Sequence, residues 1–328
     1  MSNPSRADRQ TVASLRPNQS LSEVYLLNSC ELRSARNGSL YLQMKLTDRS
    51  GTIEGRLWNA SQAMGKALDG AQYVYVKGRV ETYQGRLQVV ADGIKPVEPD
   101  NVLLDDFLPH TAQDVDELYA RLERAAGTVT QPQLAVLLKA FLDDEEIARG
   151  FRRCPAAVSF HQPYLGGLLE HTVNVVELAE LVCDRYESLN RDLLVTSAVL
   201  HDVGKIRELT YNGPFGYSDQ GKLVGHLVIG VMMIQEKLEA MSDFPDDLRD
   251  VLFHMILSHH GEHEWGSPKL PMTPEALVLH HLDNLDAKVE ASSREIETDP
   301  MSKSHWTGFS RMFKRELYKG LARDSEAD

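Results

Sequence analysis

Alternation of apolar and polar positions marks the first hundred residues of the chain. Between Leu40 and Leu46 every second residue is apolar, whereas intervening residues such as Tyr41 and Lys45 point to the other side. This period of two is typical of a strand with one buried face. The stretch Asp48–Gly51 (DRSG) predicts a turn, because short polar residues and glycine favour reversal of the chain.

A second alternating segment, YVYVKGRVETYQGRLQVVAD, predicts another hairpin with its turn at Gln84-Gly85. One short helix is predicted between the two hairpins, over residues 60–68. Four or five strands with one helix, within about 80 residues, are typical of a small Greek-key barrel of the OB type. The first part of the chain is therefore predicted to be a small all-β barrel.

The pattern changes after residues 96–109 (PVEPDNVLLDDFLP), where three prolines and four acids indicate a linker or a wrapping segment. From Asp114 onward apolar residues recur at spacings of three and four, the period of amphipathic helices. We therefore predict a multidomain chain in which a small all-β barrel precedes a larger all-α domain. The predicted parts are a polar tail over 1–13, an OB-type barrel over 14–98, a linker over 99–113 and the helical domain over 114–325.

One helix has clear start signals in TPEALVLHHLDNLDAKVEA. Thr273 is predicted as its N-cap, with Pro274 at the first helical position. Its predicted buried stripe consists of four apolar residues, with Asp283 just beside it: Val278, Leu282, Leu285 and Val289.

Charge is distributed unevenly between the two predicted domains. Residues 1–100 carry 13 Lys+Arg and 10 Asp+Glu, a net charge of +3, which leaves −16 for the rest of a chain whose total is −13. An acidic domain repels polyanions, so handling of phosphates there would require bound metals or a local basic patch.

The sequence disfavours a membrane protein, a disulfide-stabilised fold and a zinc site built from thiolates. The longest apolar run, Leu227–Ile234, is too short to cross a bilayer, and the first residues contain no apolar signal core, so we expect a cytoplasmic protein without a membrane partner. Three cysteines, none in a CxxC pair, point to neither a disulfide framework nor a thiolate site. Any metal would be held by histidines and carboxylates.

Histidine and aspartate residues recur on or at the ends of predicted apolar helices, where polar groups need partners. Metal coordination would provide those partners, and a carboxylate can bridge two divalent cations. The set follows a fixed order along the chain: His171 in LLEHT, His201-Asp202 in HDVGK, His226 in VGHLVIG, His259-His260 in SHHGEHEWGSP and Asp283 in HHLDNLDAK.

This order resembles the HD-domain superfamily of metal-dependent phosphohydrolases over roughly residues 150–295. The resemblance implies one metal held by His171, His201, Asp202 and Asp283, and a second held by Asp202, His226, His259 and His260. It also implies catalytic roles for Asp202 and for Lys205, whose ammonium would lie one helical turn from Asp202 and meet a substrate phosphate. Histidine-rich ligation favours Mn²⁺, Co²⁺, Fe²⁺, Ni²⁺ or Zn²⁺ over Mg²⁺.

The barrel segment, around LYLQMKLTDRSGTIEGRLW and YVYVKGRVETYQGRLQV, resembles OB-fold nucleic-acid-binding domains. Aromatic faces mixed with cations suit stacking of bases and contact with phosphates, although ordinary solvent-facing strand residues are the alternative. The candidate nucleic-acid-binding residues are Tyr41, Lys45, Arg56, Trp58, Lys77, Arg79, Tyr83 and Arg86.

The order of an OB segment and an HD domain is similar to that of the YhaM-type 3′-to-5′ exoribonucleases. The resemblance implies hydrolysis of single-stranded RNA or DNA from the 3′ end to nucleoside 5′-monophosphates, with two divalent metals, Mn²⁺ favoured. Five basic residues at the C-terminal end, in and just before HWTGFSRMFKRELYKG, could contact phosphates or form a solvated basic helix: Lys303, Arg311, Lys314, Arg315 and Lys319. Alternative functions are an HD phosphohydrolase of nucleotides or cyclic nucleotides and a nucleic-acid-binding protein with an inactive site, and a homo-oligomer remains open.

Overall fold

A computed structural model of the chain describes residues 9–35, 38–83, 85–299 and 304–320. The chain separates into two compact units. The first extends to His110 and includes Thr210–Gly216, and the second comprises Thr111–Leu209 and the residues from Tyr217 onward.

The first unit contains a closed five-stranded barrel with the strand order β1-β2-β3-β5-β4. Strands β3 and β5 pair in parallel, and the other pairs are antiparallel. The elements are β1 (Ser20–Ser34), β2 (Leu40–Asp48), β3 (Gly51–Trp58), α1 (Gln62–Ala67), β4 (Tyr73–Tyr83) and β5 (Arg86–Val97). The prediction of a small barrel with one helix between strand pairs is confirmed. Gln84 of the predicted turn lies outside the described residues.

Alternation along β2 gives the barrel one buried face. Leu42, Met44 and Leu46 are fully buried, whereas Tyr41 is partly accessible and Lys45 is exposed. The apolar side chains fill the interior, so aromatic and cationic residues remain on the outside.

Gly78 is required where β4 and β5 approach each other at an irregularity in their register. A Cβ atom at this position would lie 2.2 Å from the carbonyl oxygen of Val90. Any larger residue would therefore push the two strands apart.

The segment predicted as a linker or a wrapping segment packs within the first unit. It forms short 3₁₀ turns at Pro99–Asn101 and Leu104–Asp106. Phe107 follows and is buried, with its ring centroid 5.0 Å from that of Tyr73 and with the Arg9 guanidinium 4.3 Å from it. These contacts favour the wrapping alternative for this part of the segment.

The second unit is helical. The chain also forms a small ribbon of two paired strands of two residues each, β6 (Leu209–Thr210) and β7 (Gly216–Tyr217). No helix among the described residues has the length and apolar character needed to cross a bilayer. The helices are α2 (Val115–Ala126), α3 (Pro132–Leu142), α4 (Glu145–Arg153), α5 (Gly167–Arg185), α6 (Arg191–Leu200), α7 (Lys205–Glu208), α8 (Asp219–Val224), α9 (His226–Leu238), α10 (Asp246–Ser258) and α11 (Pro274–Thr298).

Helix α11 begins as predicted, with the Thr273 hydroxyl accepting a hydrogen bond from the Ala276 amide. Its predicted buried stripe is wrong in part, because Leu285 is 48% exposed and Val289 is 55% exposed. The buried face instead combines apolar residues with polar side chains that serve the candidate site. The apolar positions alone therefore predict the wrong face of the helix as buried.

The C-terminal segment, residues 304–320, contains no helix in the structure. Isolated bridges join Trp306 to Tyr318 and Ser310 to Arg315, which closes the segment into a turn. Of the basic residues proposed to contact phosphate, Lys319 pairs with Asp299, 2.6 Å from its carboxylate, and Lys303 lies outside the described residues.

Candidate metal centre and nucleic-acid interface

Five helices of the second unit bring the candidate ligands together at their ends or along one face. His171 lies near the start of α5, and Asp283 lies midway along α11. The remaining five occupy helix ends: His201 and Asp202 directly after α6, His226 at the start of α9, and His259 and His260 directly after α10. Helix ends suit this role because several chain segments can meet there.

The first ligand cluster is centred on His171. Its Nε2 atom lies 3.2 Å from His201 Nε2, 3.2 Å from Asp283 Oδ1 and 3.6 Å from Asp202 Oδ2. His201 Nε2 lies 3.4 Å from the same Asp202 oxygen. Two imidazole nitrogens and two carboxylate oxygens thus face one another, a donor set suited to a divalent transition metal.

The second cluster is built on the other oxygen of Asp202. Oδ1 lies 3.5 Å from His226 Nε2 and 3.6 Å from His259 Nε2. His260 Nε2 lies 3.2 Å from His226 Nε2. Because its two oxygens face different clusters, the Asp202 carboxylate has the geometry of a bridging ligand.

All five imidazoles are oriented by a hydrogen bond at Nδ1. Since an acceptor at Nδ1 places the proton there, the Nε2 lone pair is free to bind a metal. The partners are Asp286 Oδ2 for His171 (2.6 Å), the Ala198 carbonyl for His201 (2.8 Å), Glu208 Oε1 for His226 (3.1 Å), the Ile256 carbonyl for His259 (2.8 Å) and the Trp265 carbonyl for His260 (2.9 Å).

Two buried polar atoms in this region indicate whether a cation fits between the candidate ligands. Asp202 Oδ1 and His259 Nε2 are buried and have no hydrogen-bond partner among the described residues. A buried polar atom without a partner is costly, and a divalent cation would satisfy both. The donor set therefore fits bound metal.

Electrostatics keep Asp202, Asp283 and His260 in metal-binding protonation states. Burial opposes ionisation of Asp202 and Asp283, but Lys205 and His201 beside Asp202, and the His171 hydrogen bond to Asp283, hold both carboxyl pKa values below their usual range. Burial lowers the pKa of His260 to about 3, which keeps this imidazole neutral.

His171 differs from the other imidazoles because carboxylates surround it. Burial lowers its pKa, but hydrogen bonds to Asp283 and Asp286 outweigh burial and raise the pKa to about 9. Positive charge is thus favoured at this position, which a metal cation would also provide.

Lys205 lies beside Asp202, as its place in HDVGK predicts. Its Nζ atom lies 2.6 Å from Asp202 Oδ2, and the Lys205 side chain lines a cavity next to the ligands. Gly204 permits this packing: a Cβ atom there would lie 2.1 Å from the His226 carbonyl oxygen. The HDVGK glycine thus lets α7 and α9 approach closely.

Other polar residues near the centre have defined places. Asp286 accepts hydrogen bonds from His171, from Gln162 Nε2 (3.0 Å) and from Asn174 Nδ2 (2.9 Å), so it orients a candidate ligand. His280 bonds the His259 carbonyl, whereas His281 is exposed. His254 accepts a hydrogen bond from the Met272 amide.

Several residues around the centre were not among the candidates named from the sequence. Glu208, which holds His226, lies one helical turn after Lys205 in the HDVGKIRE run, and this spacing could have identified it. Trp265, Lys288 and Phe313 line the cavity beside the ligands, but no spacing rule links them to the histidines.

On the barrel, four predicted nucleic-acid-binding residues form one surface. The Tyr41 and Trp58 rings are 5.0 Å apart. The Arg56 guanidinium lies 5.8 Å from the Trp58 ring and 5.2 Å from the Tyr83 ring. We call these four residues the aromatic–arginine patch. Aromatic faces with an interleaved cation are suited to stacking bases and contacting phosphates.

The other four candidates lie elsewhere on the outer surface. Lys45 is opposite Glu54, and Arg86 is opposite Tyr83 in the strand register. Lys77 and Arg79 are two residues apart on β4 and therefore point to the same side of the strand. Arg79 Nε lies 2.7 Å from Glu81 Oε1, so its charge is partly compensated.

Two family profiles match the chain. One, described as an HD domain, matches residues 168–288 and therefore includes all seven candidate ligands. The other, described as an OB-fold nucleic acid binding domain, matches residues 29–97.

Curated relatives match across both units. The 3′-5′ exoribonuclease YhaM of Bacillus subtilis is 36% identical over 282 residues, which cover 85% of this chain and 88% of the relative. The 3′-5′ exoribonuclease YhaM of Shouchella clausii is 33% identical over 275 residues, covering 83% of this chain and 85% of the relative.

Among solved structures, a domain of replication protein A from Methanococcus maripaludis is 23% identical. It covers 27% of this chain and 96% of that domain, with a TM-score of 0.22.

Proposed function

The chain belongs to the YhaM family of 3′-to-5′ exoribonucleases, and we propose on this basis that it shortens single-stranded RNA from the 3′ end to nucleoside 5′-monophosphates. It is a hydrolase that depends on divalent metal. The observation that carries the proposal is the convergence of five Nε2 atoms with the carboxylates of Asp202 and Asp283. In the reaction, water adds to the terminal phosphodiester, and the 3′ oxygen of the upstream nucleotide leaves with a proton.

The ligands divide into two sets that share Asp202. We propose that His171, His201, Asp202 and Asp283 hold one metal, and that Asp202, His226, His259 and His260 hold the other. Bound metals would polarise the scissile phosphate and lower the pKa of the attacking water. The imidazole-rich donors favour Mn²⁺, Co²⁺, Fe²⁺, Ni²⁺ or Zn²⁺, and Mn²⁺ is our proposal among them.

Lys205 has two tasks in this proposal. Its ammonium holds the Asp202 carboxylate at 2.6 Å, and the same side chain lines the cavity where a substrate phosphate would lie. Burial lowers the pKa of this ammonium, but Asp202 outweighs burial and raises it, so Lys205 stays charged. A fixed positive charge there would stabilise negative charge that develops on the phosphate oxygens.

The aromatic–arginine patch is proposed to bind the upstream part of the strand. Trp58 is 43% exposed and Tyr83 is 49% exposed, so both rings are available for stacking. Stacking depends little on base identity, which suits an exonuclease that must move along any sequence. The three cysteines are free thiols, which agrees with the cytoplasmic location that we propose.

A labelled-RNA time course tests the function. Metal-stripped protein is incubated with 5′-labelled single-stranded RNA, with and without Mn²⁺, beside Asp202→Asn and the matched control Asp184→Asn at an exposed position of α5. We expect a metal-dependent ladder that shortens from the 3′ end with wild type and Asp184→Asn and is absent with Asp202→Asn. A DNA strand of the same sequence measures the preference for RNA.

The alternative of free nucleotides as substrates is not favoured, because relatives that match over both units are named exoribonucleases. Turnover of nucleotides or cyclic nucleotides without any shortening of RNA would contradict the proposal. Equal activity of Asp202→Asn and wild type would contradict the assigned metal centre.

A further inference from the structure

A cavity of about 500 Å³ lies directly beside the ligand cluster. Lys205, His260 and Asp283 form the wall on the side of the candidate metals. The volume falls within the range of about 300–1,000 Å³ that is typical of pockets for small ligands. A group attached to a phosphate at the centre would therefore extend into this cavity.

The remaining walls are largely apolar and aromatic. Trp265 is 50% exposed, Phe160 is 62% exposed and Met312 is 40% exposed, and Phe313 also lines the cavity. The Lys288 ammonium lies 5.5 Å from the Trp265 ring. Flat apolar surfaces with a nearby cation match a nucleobase that is joined to a phosphate.

The C-terminal segment provides one of these walls and is fixed onto α11. The Ser310 hydroxyl donates to Glu295 Oε2 at 2.8 Å, and the Gly308 amide donates to Asp299 Oδ2 at 3.0 Å. The turn between Ser310 and Arg315 then presents Met312 and Phe313 to the cavity. This placement gives the segment a role beyond a basic surface.

We propose that this cavity binds the nucleoside at the 3′ end of the strand, with its unpaired base stacked on the aromatic wall that Trp265 and Phe313 provide. The proposal rests on the exonuclease function and adds the site of its terminal nucleoside. Because the wall is apolar, recognition would depend on the presence of a base and little on its identity. A terminal base engaged in a pair would have to leave its partner to enter.

The test compares an intact RNA with one whose 3′-terminal nucleotide lacks its base. We expect loss of this base to lower kcat/KM for the first cleavage about tenfold in wild type, as expected for one lost stacking interaction. In Phe313→Ala we expect a lower kcat/KM for the intact RNA. The penalty for base loss, which is the factor by which loss of the terminal base lowers kcat/KM, should be smaller than in wild type by about threefold or more. An RNA that lacks a base at an internal position serves as the substrate control.

Phe309→Ala is the matched protein control. Phe309 belongs to the same segment and is 67% exposed, but within the described part of the chain it does not line this cavity. Phe313→Leu keeps an apolar side chain in the turn without an aromatic face. We expect Phe309→Ala to keep the wild-type penalty and Phe313→Leu to show the reduced penalty of Phe313→Ala.

Titration calorimetry with Mn²⁺, without any substrate, separates loss of base binding from damage to the centre. Unchanged Mn²⁺ affinity in Phe313→Ala, together with the reduced penalty for base loss, supports the proposal, and a lower Mn²⁺ affinity overturns it, because Phe313 would then act on the ligand cluster. An equal penalty for base loss in wild type and Phe313→Ala also overturns it. Failure of wild type to shorten any RNA would instead contradict the exonuclease function.

Discussion

Asp286 provides a sharp test of how the centre is organised, because it touches a candidate ligand but is not proposed to touch metal. Its carboxylate accepts from His171 Nδ1 at 2.6 Å and from the amide groups of Gln162 and Asn174. Asp286→Asn removes the negative charge and leaves one carbonyl oxygen for three donors. At least one buried donor then loses its acceptor or must share it.

The expected effect concerns metal affinity. Loss of a carboxylate that orients a metal-binding histidine typically costs about 10–100-fold in affinity or activity, which corresponds to about 1.4–2.8 kcal/mol. We therefore expect the Mn²⁺ concentration for half-maximal RNA cleavage to rise at least tenfold, with much of kcat restored at saturating Mn²⁺. Titration calorimetry with Mn²⁺ should show the same loss without any substrate.

Glu297→Gln, at an exposed position of the same helix, is the control and should leave the Mn²⁺ requirement unchanged. Unaltered Mn²⁺ affinity in Asp286→Asn would refute the argument that Asp286 prepares His171 for metal. Loss of kcat that no Mn²⁺ concentration restores would indicate a direct role in the reaction.

Three further predictions address other parts of the molecule. Trp58→Ala should weaken binding of a long single-stranded RNA about 5–150-fold, measured by fluorescence anisotropy, since one stacked base contributes about 1–3 kcal/mol; unchanged affinity would exclude Trp58 from the interface. Gly204→Ala should lower both the Tm and the Mn²⁺ affinity, since its Cβ would lie 2.1 Å from the His226 carbonyl oxygen; calorimetry that detects neither change would disprove the close approach. Asp144→Ala should lower the free energy of unfolding by about 1 kcal/mol near pH 7, because Asp144 caps α4. The hydrogen bond from Lys237 lowers the pKa of Asp144, so its contribution is present above this pKa and lost as the pH falls through it; a constant difference in denaturant titrations down to low pH would argue against this link.

The barrel could be predicted from sequence because its alternation is regular. Every second residue of β2 from Leu42 enters the core, so apolar pattern and burial coincide. The segment 99–108 was harder to interpret, because its attachment depends on the contact between Phe107 and Tyr73, two residues far apart in the sequence. Its prolines and acids alone are compatible with a free linker.

Helix α11 shows why a functional site misleads analysis of apolar patterns. The face turned inward carries His280, Asp283 and Asp286 alongside its apolar residues, whereas Leu285 and Val289 are exposed. A pattern that treats only apolar residues as buried therefore assigns the wrong face. The site overrides the hydrophobic rule because its polar groups have partners there.

Helix α4 is hard to recognise from the sequence for a different reason. It has only nine residues, and only Ile147 and Phe151 supply large buried side chains. Its N-cap, Asp144, was the readable signal. In the cavity, Trp265 and Phe313 come from separate loops, and only the folded chain brings them beside the ligands.

Anomalous scattering from crystals grown with Mn²⁺ would locate the metals relative to Asp202. We expect two manganese peaks about 3.5–4 Å apart, one on each side of the Asp202 carboxylate, with His171, His201 and Asp283 around one and His226, His259 and His260 around the other. A single peak, or two peaks that do not share Asp202, would contradict the bridged centre.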